Sequence, residues 1–493
     1  MLHLRRICLI TALALILWVL PAGADDMILI NEALEPATRE ETDAMLASAA
    51  EAYFTDASLY AELSGEISRS EIPDPFAEEE NGTLTIYSLT HGGQTMRFMM
   101  ERLGEPGENG RYPLYITLHG GGESTPESND IQWMVMHDYY RGAVENGLYI
   151  ACRGITDTWD LHFRPGSYPL YDRLIQAAVY LYHADPDRVY LLGFSAGGDG
   201  VYQIAPRMAD RFAAANMSSG HPNGVSLLNL MNCPFGIQVG VRDYYSESAM
   251  RCIRGAEMDR VLNGYREKTG QGYVHRVLVH VPAGHNFDDC GKADAQVLAD
   301  PAAYADPGIT LDMMDAFLAA LTSTTGEWGV DSLSYYPESE TPAFDEAVRG
   351  IVTEEFGLKT VEVDANVVRW VSGFVRDPAP KTVVWDLSTR AATREAESFY
   401  WLKADKTVDQ GTVTASLTGD NTLTVTPENV NGDFSILVSP ALLDLSRPIK
   451  IITPDGERLV RVNPSYDTML SSMRETGDPG LAWAAEIPWS LLR

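Results

Sequence analysis

A chain of 493 residues, 45% hydrophobic and 22% charged, is long enough for more than one domain and has the composition of a folded globular protein, which excludes a disordered or collagen-like chain. Its formal net charge of −32 argues against nucleic acid and anionic membrane surfaces as partners. Five cysteines show no C-x-x-C spacing, so no structural zinc site or dithiol redox motif is expected.

The amino terminus differs in character from the rest. Arg5 and Arg6 precede a fourteen-residue apolar run from Ile7 to Leu20, and Ala22-Gly23-Ala24 supplies a small-residue cleavage pattern. The run is short of the ~20 residues that span a bilayer. Residues 1–24 are therefore expected to be a cleaved signal peptide, with no stable membrane insertion afterwards and a secreted or periplasmic location. Cleavage removes two arginines and no acid, so the mature chain is more acidic still.

Thr38-Arg39-Glu40-Glu41 predicts a capping box, followed by Leu46, Ala49, Ala50 and Tyr53 at helical spacing. This predicts a helical addition over 31–65 packed on the domain that follows. From Thr83 strands alternate with helices: strands over 84–89, 95–102, 114–118 and 148–152, and helices over 131–145 and 170–181. A strand at 189–192 ends in Gly193-Phe194-Ser195-Ala196-Gly197. Beyond it come strands over 212–217, 235–239 and 274–281, a helix over 248–265 and a closing helix over 311–321. Such alternation predicts an α/β domain, a mostly parallel sheet with helices on both faces, ending near residue 325. Residues 326–375 mix a Pro337–Pro342 loop with short helix-like and strand-like pieces, and are expected to be a connector. After Arg376 the pattern turns to period-2 alternation, as in Val413, Ala415 and Leu417 or Phe434, Ile436 and Val438. That predicts an antiparallel β-sandwich-like domain over 376–493, folding independently.

Gly193–Gly197 is a G-x-S-x-G elbow, whose glycines leave room for a sharp strand-to-helix reversal that exposes the central serine. Ser195 is the expected nucleophile. His119-Gly120-Gly121-Gly122 directly follows a core strand, so backbone N–H groups of Gly120 or Gly121, with that of Ala196, are expected to hold an oxyanion. His119 is expected to fix the loop. His285, just past the last core strand, is the expected base, because a loop from that sheet edge brings its imidazole to Ser195. The other histidines, His137, His183, His275 and His280, fall in helices or inside a strand. Asp243 is the first carboxylate after the strand 235–239 and is expected to orient the imidazole; Glu247, Asp288 and Asp289 are rivals. Trp159, His162 and His221 lie in loops beside the predicted site and are candidate substrate contacts.

Ser195, Asp243 and His285 in that order, with His119-Gly-Gly-Gly upstream, resemble the α/β-hydrolase fold. Asp185-Pro186-Asp187-Arg188-Val189-Tyr190, Gly193–Gly198 and Gly284-His285-Asn286 resemble secreted bacterial esterases grouped with poly(3-hydroxybutyrate) depolymerases and feruloyl or acetylxylan esterases. The likeness covers roughly 84–325, and the carboxy-terminal segment is similar to β-domains appended to such hydrolases. The resemblance implies a serine hydrolase acting through an acyl-enzyme on a small-molecule or polymer ester, with no metal or organic cofactor. A serine peptidase of the prolyl-oligopeptidase type on the same fold and a non-catalytic polymer-binding protein are the alternatives. Cys252, near the start of the helix after Asp243, and Cys290, on the loop past His285, leave the same sheet edge, which predicts a disulfide between them, with free buried thiols as the alternative.

Overall fold

The computed structural model describes residues 27–31, 37–75, 82–240, 243, 251–280, 283–291, 295–299 and 359–493. The expected signal peptide, Glu247, the closing helix over 311–321 and most of the connector lie outside the described residues. At the centre is an eleven-stranded sheet. Its first three strands, β2 (Ile67–Pro73), β3 (Thr83–His91) and β4 (Gln94–Leu103), form an antiparallel edge. They continue into β6 (Gly147–Cys152), β5 (Tyr112–Leu118), β7 (Ala184–Phe194), β8 (Ala214–Ser218), β9 (Phe235–Gly240) and β10 (His275–His280), which run parallel to one another. An antiparallel pair, β11 (Ala295–Ala299) and β12 (Lys359–Val363), closes the far edge. The exchange of β5 and β6 within an otherwise sequential order is that of the α/β-hydrolase fold.

The parallel strands are buried along their length because both faces are covered. Leu114, Ile116 and Leu118 join one apolar cluster with Ile150 and Leu191, while Tyr115, Tyr149 and Tyr190 alternate into a second on the opposite face. Helices α4 (Ser167–Leu181), α5 (Ala196–Arg207) and α6 (Arg251–Thr269) contribute to the first cluster. Helix α3 (Pro126–Tyr139) contributes Trp133 and Met136 to the second.

Around this sheet the strand pairing differs from the expected arrangement in three places. The amino-terminal addition contains α1 (Arg39–Phe54) and α2 (Ala57–Glu66), with the expected capping box: Thr38 Oγ1 accepts from Glu41 N at 3.2 Å, and Glu41 Oε2 accepts from Thr38 N at 2.8 Å. Before it, however, β1 (Met27–Ile30) pairs in parallel with β20 (Gly456–Val462), so the first described strand belongs to the carboxy-terminal part. Within the expected connector, β12 extends the central sheet, and a further helix, α7 (Val367–Ser372), packs on the Tyr190 face of that sheet. Finally, the carboxy-terminal part is not purely antiparallel. Its six-stranded sheet carries β1 alongside β20 and β17 (Thr422–Glu428) alongside β19 (Ile449–Thr453) in parallel, and it includes a helix, α8 (Tyr466–Thr476). A four-stranded antiparallel sheet faces the same core.

That core is continuous with the first cluster of the central sheet. The join is also ionic. Arg394 donates to Asp172 (3.0 Å) and Asp210 (2.8 Å), and Arg376 lies 2.7 Å from Asp187 and 2.5 Å from Asp478. Arg211 sits beside Asp172 and Asp478 at 3.8 and 3.7 Å, and all three guanidiniums are buried. Removing one partner of such a set strands charge in a dry interior. Arg394→Met is expected to destabilise the chain by roughly 3–5 kcal/mol, because it leaves Asp172 and Asp210 without their closest cation. A urea midpoint unchanged from wild type would show that the network adds nothing to stability.

A second clamp is titratable. His91 Nδ1 lies 2.9 Å from Glu66 and Nε2 lies 2.6 Å from Glu395, so both ring nitrogens face carboxylates. Burial alone would depress its pKa, but hydrogen bonds and charge from Glu66 and Glu395 outweigh it, and the pKa lies above the ordinary histidine value. A raised pKa stabilises the fold fully below the unfolded value, ~6.5, and the contribution fades as pH climbs through the folded value. Thermal midpoints are therefore expected to fall on the alkaline side of ~6.5 more steeply in wild type than in His91→Gln. Parallel slopes would rule the clamp out.

Candidate active site

Strand β7 delivers the chain into the elbow. Ser195 has φ 59° and ψ −121°, a strained conformation held because its N–H donates to Ser218 O (2.9 Å) and its C=O accepts from Asp199 N (3.0 Å). The flanking glycines are required by space. A Cβ on Gly193 would lie 2.2 Å from Gly197 O, and one on Gly197 would lie 2.0 Å from Leu118 O. Helix α5 can thus seat directly on the end of β5.

His285 Nε2 is 2.9 Å from Ser195 Oγ, and its Nδ1 is 3.1 and 3.0 Å from the two carboxylate oxygens of Asp243. The Nδ1–H therefore donates to Asp243, leaving Nε2 to accept from the serine hydroxyl. Asp243 is 1% exposed, whereas the histidine side chain is 30% exposed and opens to solvent. The histidine loop is tied down by Ser219 Oγ, which donates to His285 O at 2.7 Å, and the imidazole packs edge-on against Phe194 at 5.6 Å. The rival acids are turned elsewhere. Asp288 accepts from Cys290 N, and Asp289 is buried against Ser218 Oγ and Tyr140. Burial pushes the Asp289 carboxyl up to about 6, hydrogen bonds from Ser218, Tyr139 and Tyr140 opposing it only in part.

The glycine loop lies across the serine: a Cβ on Gly120 would stand 3.3 Å from Ser195 Cβ. Gly122 N–H is taken by Asn129 Oδ1 at 2.8 Å, and Gly121 has φ +99°. Ala196 is the first residue of α5, so its N–H has no intrahelical acceptor. Gly121 and Ala196 both line the cavity in front of Ser195, which has a volume of about 620 Å³.

The floor beneath this loop is neutral. Gly154 N–H donates to His119 Nε2 at 3.1 Å, so the His119 proton resides on Nδ1 and goes to Gly120 O at 2.6 Å. His162 donates from Nε2 to His119 O at 2.9 Å, its ring 4.7 Å from that of His119. Burial holds the pKa of both rings down, that of His119 well below the ordinary value and that of His162 to about 4.

The structure thus separates the three expected substrate contacts. Trp159 lines the cavity and is 49% exposed. His162 does not reach it: the ring is fully buried, because the carbonyl of His119 needs a donor there, and the expectation of a substrate contact is corrected. His221 is not among the lining residues; its N–H donates to Asp199 Oδ1 (2.6 Å) and its ring meets Asn223 (2.8 Å). The expected disulfide is also corrected, since the Cys290 thiol is free and lies 3.2 Å from Tyr139 O, drawn under the sheet edge rather than toward α6. The side chain of Cys252 lies outside the described residues. Three lining residues went unread in the sequence: Glu123, Asp199 and Arg251. Asp199 had a signal, one helical turn after Ser195; Arg251 had none.

The strand order is that of the α/β-hydrolase fold, and at the end of its parallel strands a serine, a histidine and an aspartate stand in one hydrogen-bonded line. No protein-family model and no curated protein matches the sequence. Among solved structures the chain is similar to a thermostable esterase at 18% identity, covering 44% of this chain and 55% of that one, with a TM-score of 0.29. It is also similar to a ferulic acid esterase (15%, 45% and 91%, TM-score 0.24) and to the Bacillus cereus carboxylesterase (18%, 39% and 87%, TM-score 0.28). The chain therefore spans about half the length of the first of these. Identities and scores this low leave the fold to rest on the chain's own strand order.

Gly197→Ala tests the elbow. With its Cβ forced onto Leu118 O, the helix must shift and carry Ser195 away from His285, so fluorophosphonate labelling of Ser195 is expected to fall to background while the far-ultraviolet dichroism stays near wild type. A labelled Gly197→Ala protein would show that the close approach is not needed.

Proposed function

We propose that this chain is an exported serine hydrolase of carboxylic esters. The observation that carries the reading is the unbroken hydrogen-bonded line Ser195–His285–Asp243 opening on a solvent-accessible cavity. Ser195 Oγ adds to the ester carbonyl while His285 Nε2 takes its proton, and the N–H groups of Ala196 and Gly121 receive the oxyanion. Asp243 stays ionised and stabilises the imidazolium. Collapse expels the alcohol, which takes the proton from His285; water, deprotonated by the same imidazole, then attacks the acyl-enzyme and releases the acid. Every step uses groups already within reach, so no metal or organic cofactor is required. The Arg5-Arg6 pair, the apolar run and Ala22-Gly23-Ala24 support export of the mature chain. The cavity, with Trp159 at its mouth, suits a small ester or the exposed end of a polymer.

Ser195→Ala and His285→Ala are each expected to lower kcat on p-nitrophenyl acetate by on the order of 10⁴- to 10⁶-fold, and the double variant to be little worse than either, because such residues act as a unit. Labelling by a fluorophosphonate probe is expected in wild type and lost in Ser195→Ala. Additive losses, or an unlabelled wild type, would overturn the reading, and dipeptidyl amides cleaved faster than esters would move it to a peptidase.

A further inference from the structure

Arg251 is the first residue of α6 and takes no part in the reaction described above, yet it meets the triad twice. Its backbone N–H donates to Asp243 O at 3.1 Å, and its Nη1 donates to Asp243 Oδ1 at 3.4 Å. The side chain is 14% exposed and lines the cavity. Across the same cavity Asp199, on the elbow helix, is half-buried and accepts from His221 N–H (2.6 Å) and the Asn223 side chain (3.2 Å). We propose that Arg251 is a positioning residue for the triad, fixing the carboxylate of Asp243 toward His285 while facing Asp199 as its own counter-charge. The proposal rests on the hydrolase reading and goes beyond it.

Asp243 is buried, and a full charge out of water is costly unless donors and a counter-charge attend it; among the described residues the imidazole Nδ1–H is one such donor. The guanidinium supplies both the second donor and the compensating charge. It also acts on His285 through space. A cation beside the acid tempers the negative field that Asp243 places on the imidazole. Burial raises the Asp199 pKa and the charge of Arg251 opposes that rise, which ties the two residues electrostatically. Glu123, on the glycine loop, is the remaining charged group lining the cavity among the described residues. On the histidine's own loop, Asp288 and Asp289 are engaged by Cys290 N–H and by Ser218 and Tyr140, and the rings against the imidazole and its neighbour, Phe194 and Phe287, are uncharged.

The test is the pH profile of kcat/KM on p-nitrophenyl acetate for the full mature chain and for Arg251→Met, Arg251→Lys and Asp199→Asn. Arg251→Met is expected to move the acidic limb upward by roughly half a unit or more and, through the smaller fraction of free base, to lower kcat/KM on that limb by roughly threefold or more. Arg251→Lys, which keeps the charge, is expected to hold the limb near wild type. Asp199→Asn, which removes the opposing charge, is expected to move it down. An unmoved limb in Arg251→Met, or a lysine variant that behaves like methionine, overturns the proposal. If Arg251→Met does not fold, Asp199→Asn decides: a lowered limb upholds the proposal and an unmoved one overturns it. Fluorophosphonate labelling of wild type keeps the two readings apart, since an unlabelled wild type ends the hydrolase reading, whereas a labelled wild type with an unmoved limb ends only the role of Arg251.

Discussion

The whole arrangement depends on one backbone approach. Gly197 passes so close to the carbonyl of Leu118 that a single methyl would lie 2.0 Å from it, and Gly193 and Gly198 are crowded in the same way by Gly197 and Ser218. Because these positions carry no side chain, α5 begins at the tips of β5 and β7 rather than beyond them. Ser195 is left at a positive φ that only its two backbone hydrogen bonds make tolerable. The same crowding brings the first N–H of α5 beside the glycine loop. The serine hydroxyl and the N–H groups in front of it are thus set by one steric constraint instead of several independent ones.

Around that constraint the site is divided by charge. Beneath the glycine loop two buried histidines are kept neutral and are used as rigid hydrogen-bonding spacers, so no ionisation disturbs the loop that faces the oxyanion. The wall opposite holds Asp243, Asp199 and Arg251, and Glu123 follows the glycines of the loop itself. A pocket with an excess of carboxylates disfavours an anionic acyl group near the serine, and the acidity of the chain as a whole acts in the same direction.

The elements most legible in the sequence were those in which local chemistry and tertiary role coincide. The apolar runs of the parallel strands, the capping box at Thr38 and the glycines of the elbow each carry their reason within a few residues, and their positions follow. Asp243 and His285 were legible from chain order, because each leaves the same sheet edge one strand apart. What failed was any inference needing the path of a loop. His162 and Trp159 lie three residues apart on one loop, and composition cannot say which of them turns under His119 and which faces the cavity. Arg251 is hidden for the same reason: its closeness to Asp243 depends on how the intervening chain returns. Cys290 was misjudged because the loop that carries it continues under the edge of the sheet toward Tyr139.

The carboxy-terminal part shows where periodicity misleads about domains. Alternation of period two correctly marks strands but says nothing about which sheet they cover or what else joins it. Here β1, from the opposite end of the chain, completes the six-stranded sheet, and the apolar cluster of that sheet runs without a break into the face of α4 and α5. Three buried arginines and their aspartates then lie at the seam, where an interface formed between separable domains would more usually be polar and wet. Ionic groups in such a place gain little over an apolar seam in free energy, but they tolerate only one register, since a shift leaves a charge unpaired. The helix that bears Ser195 is packed from behind by this same core, so the carboxy-terminal sheets help to hold the elbow against β5 although none of their residues lines the cavity.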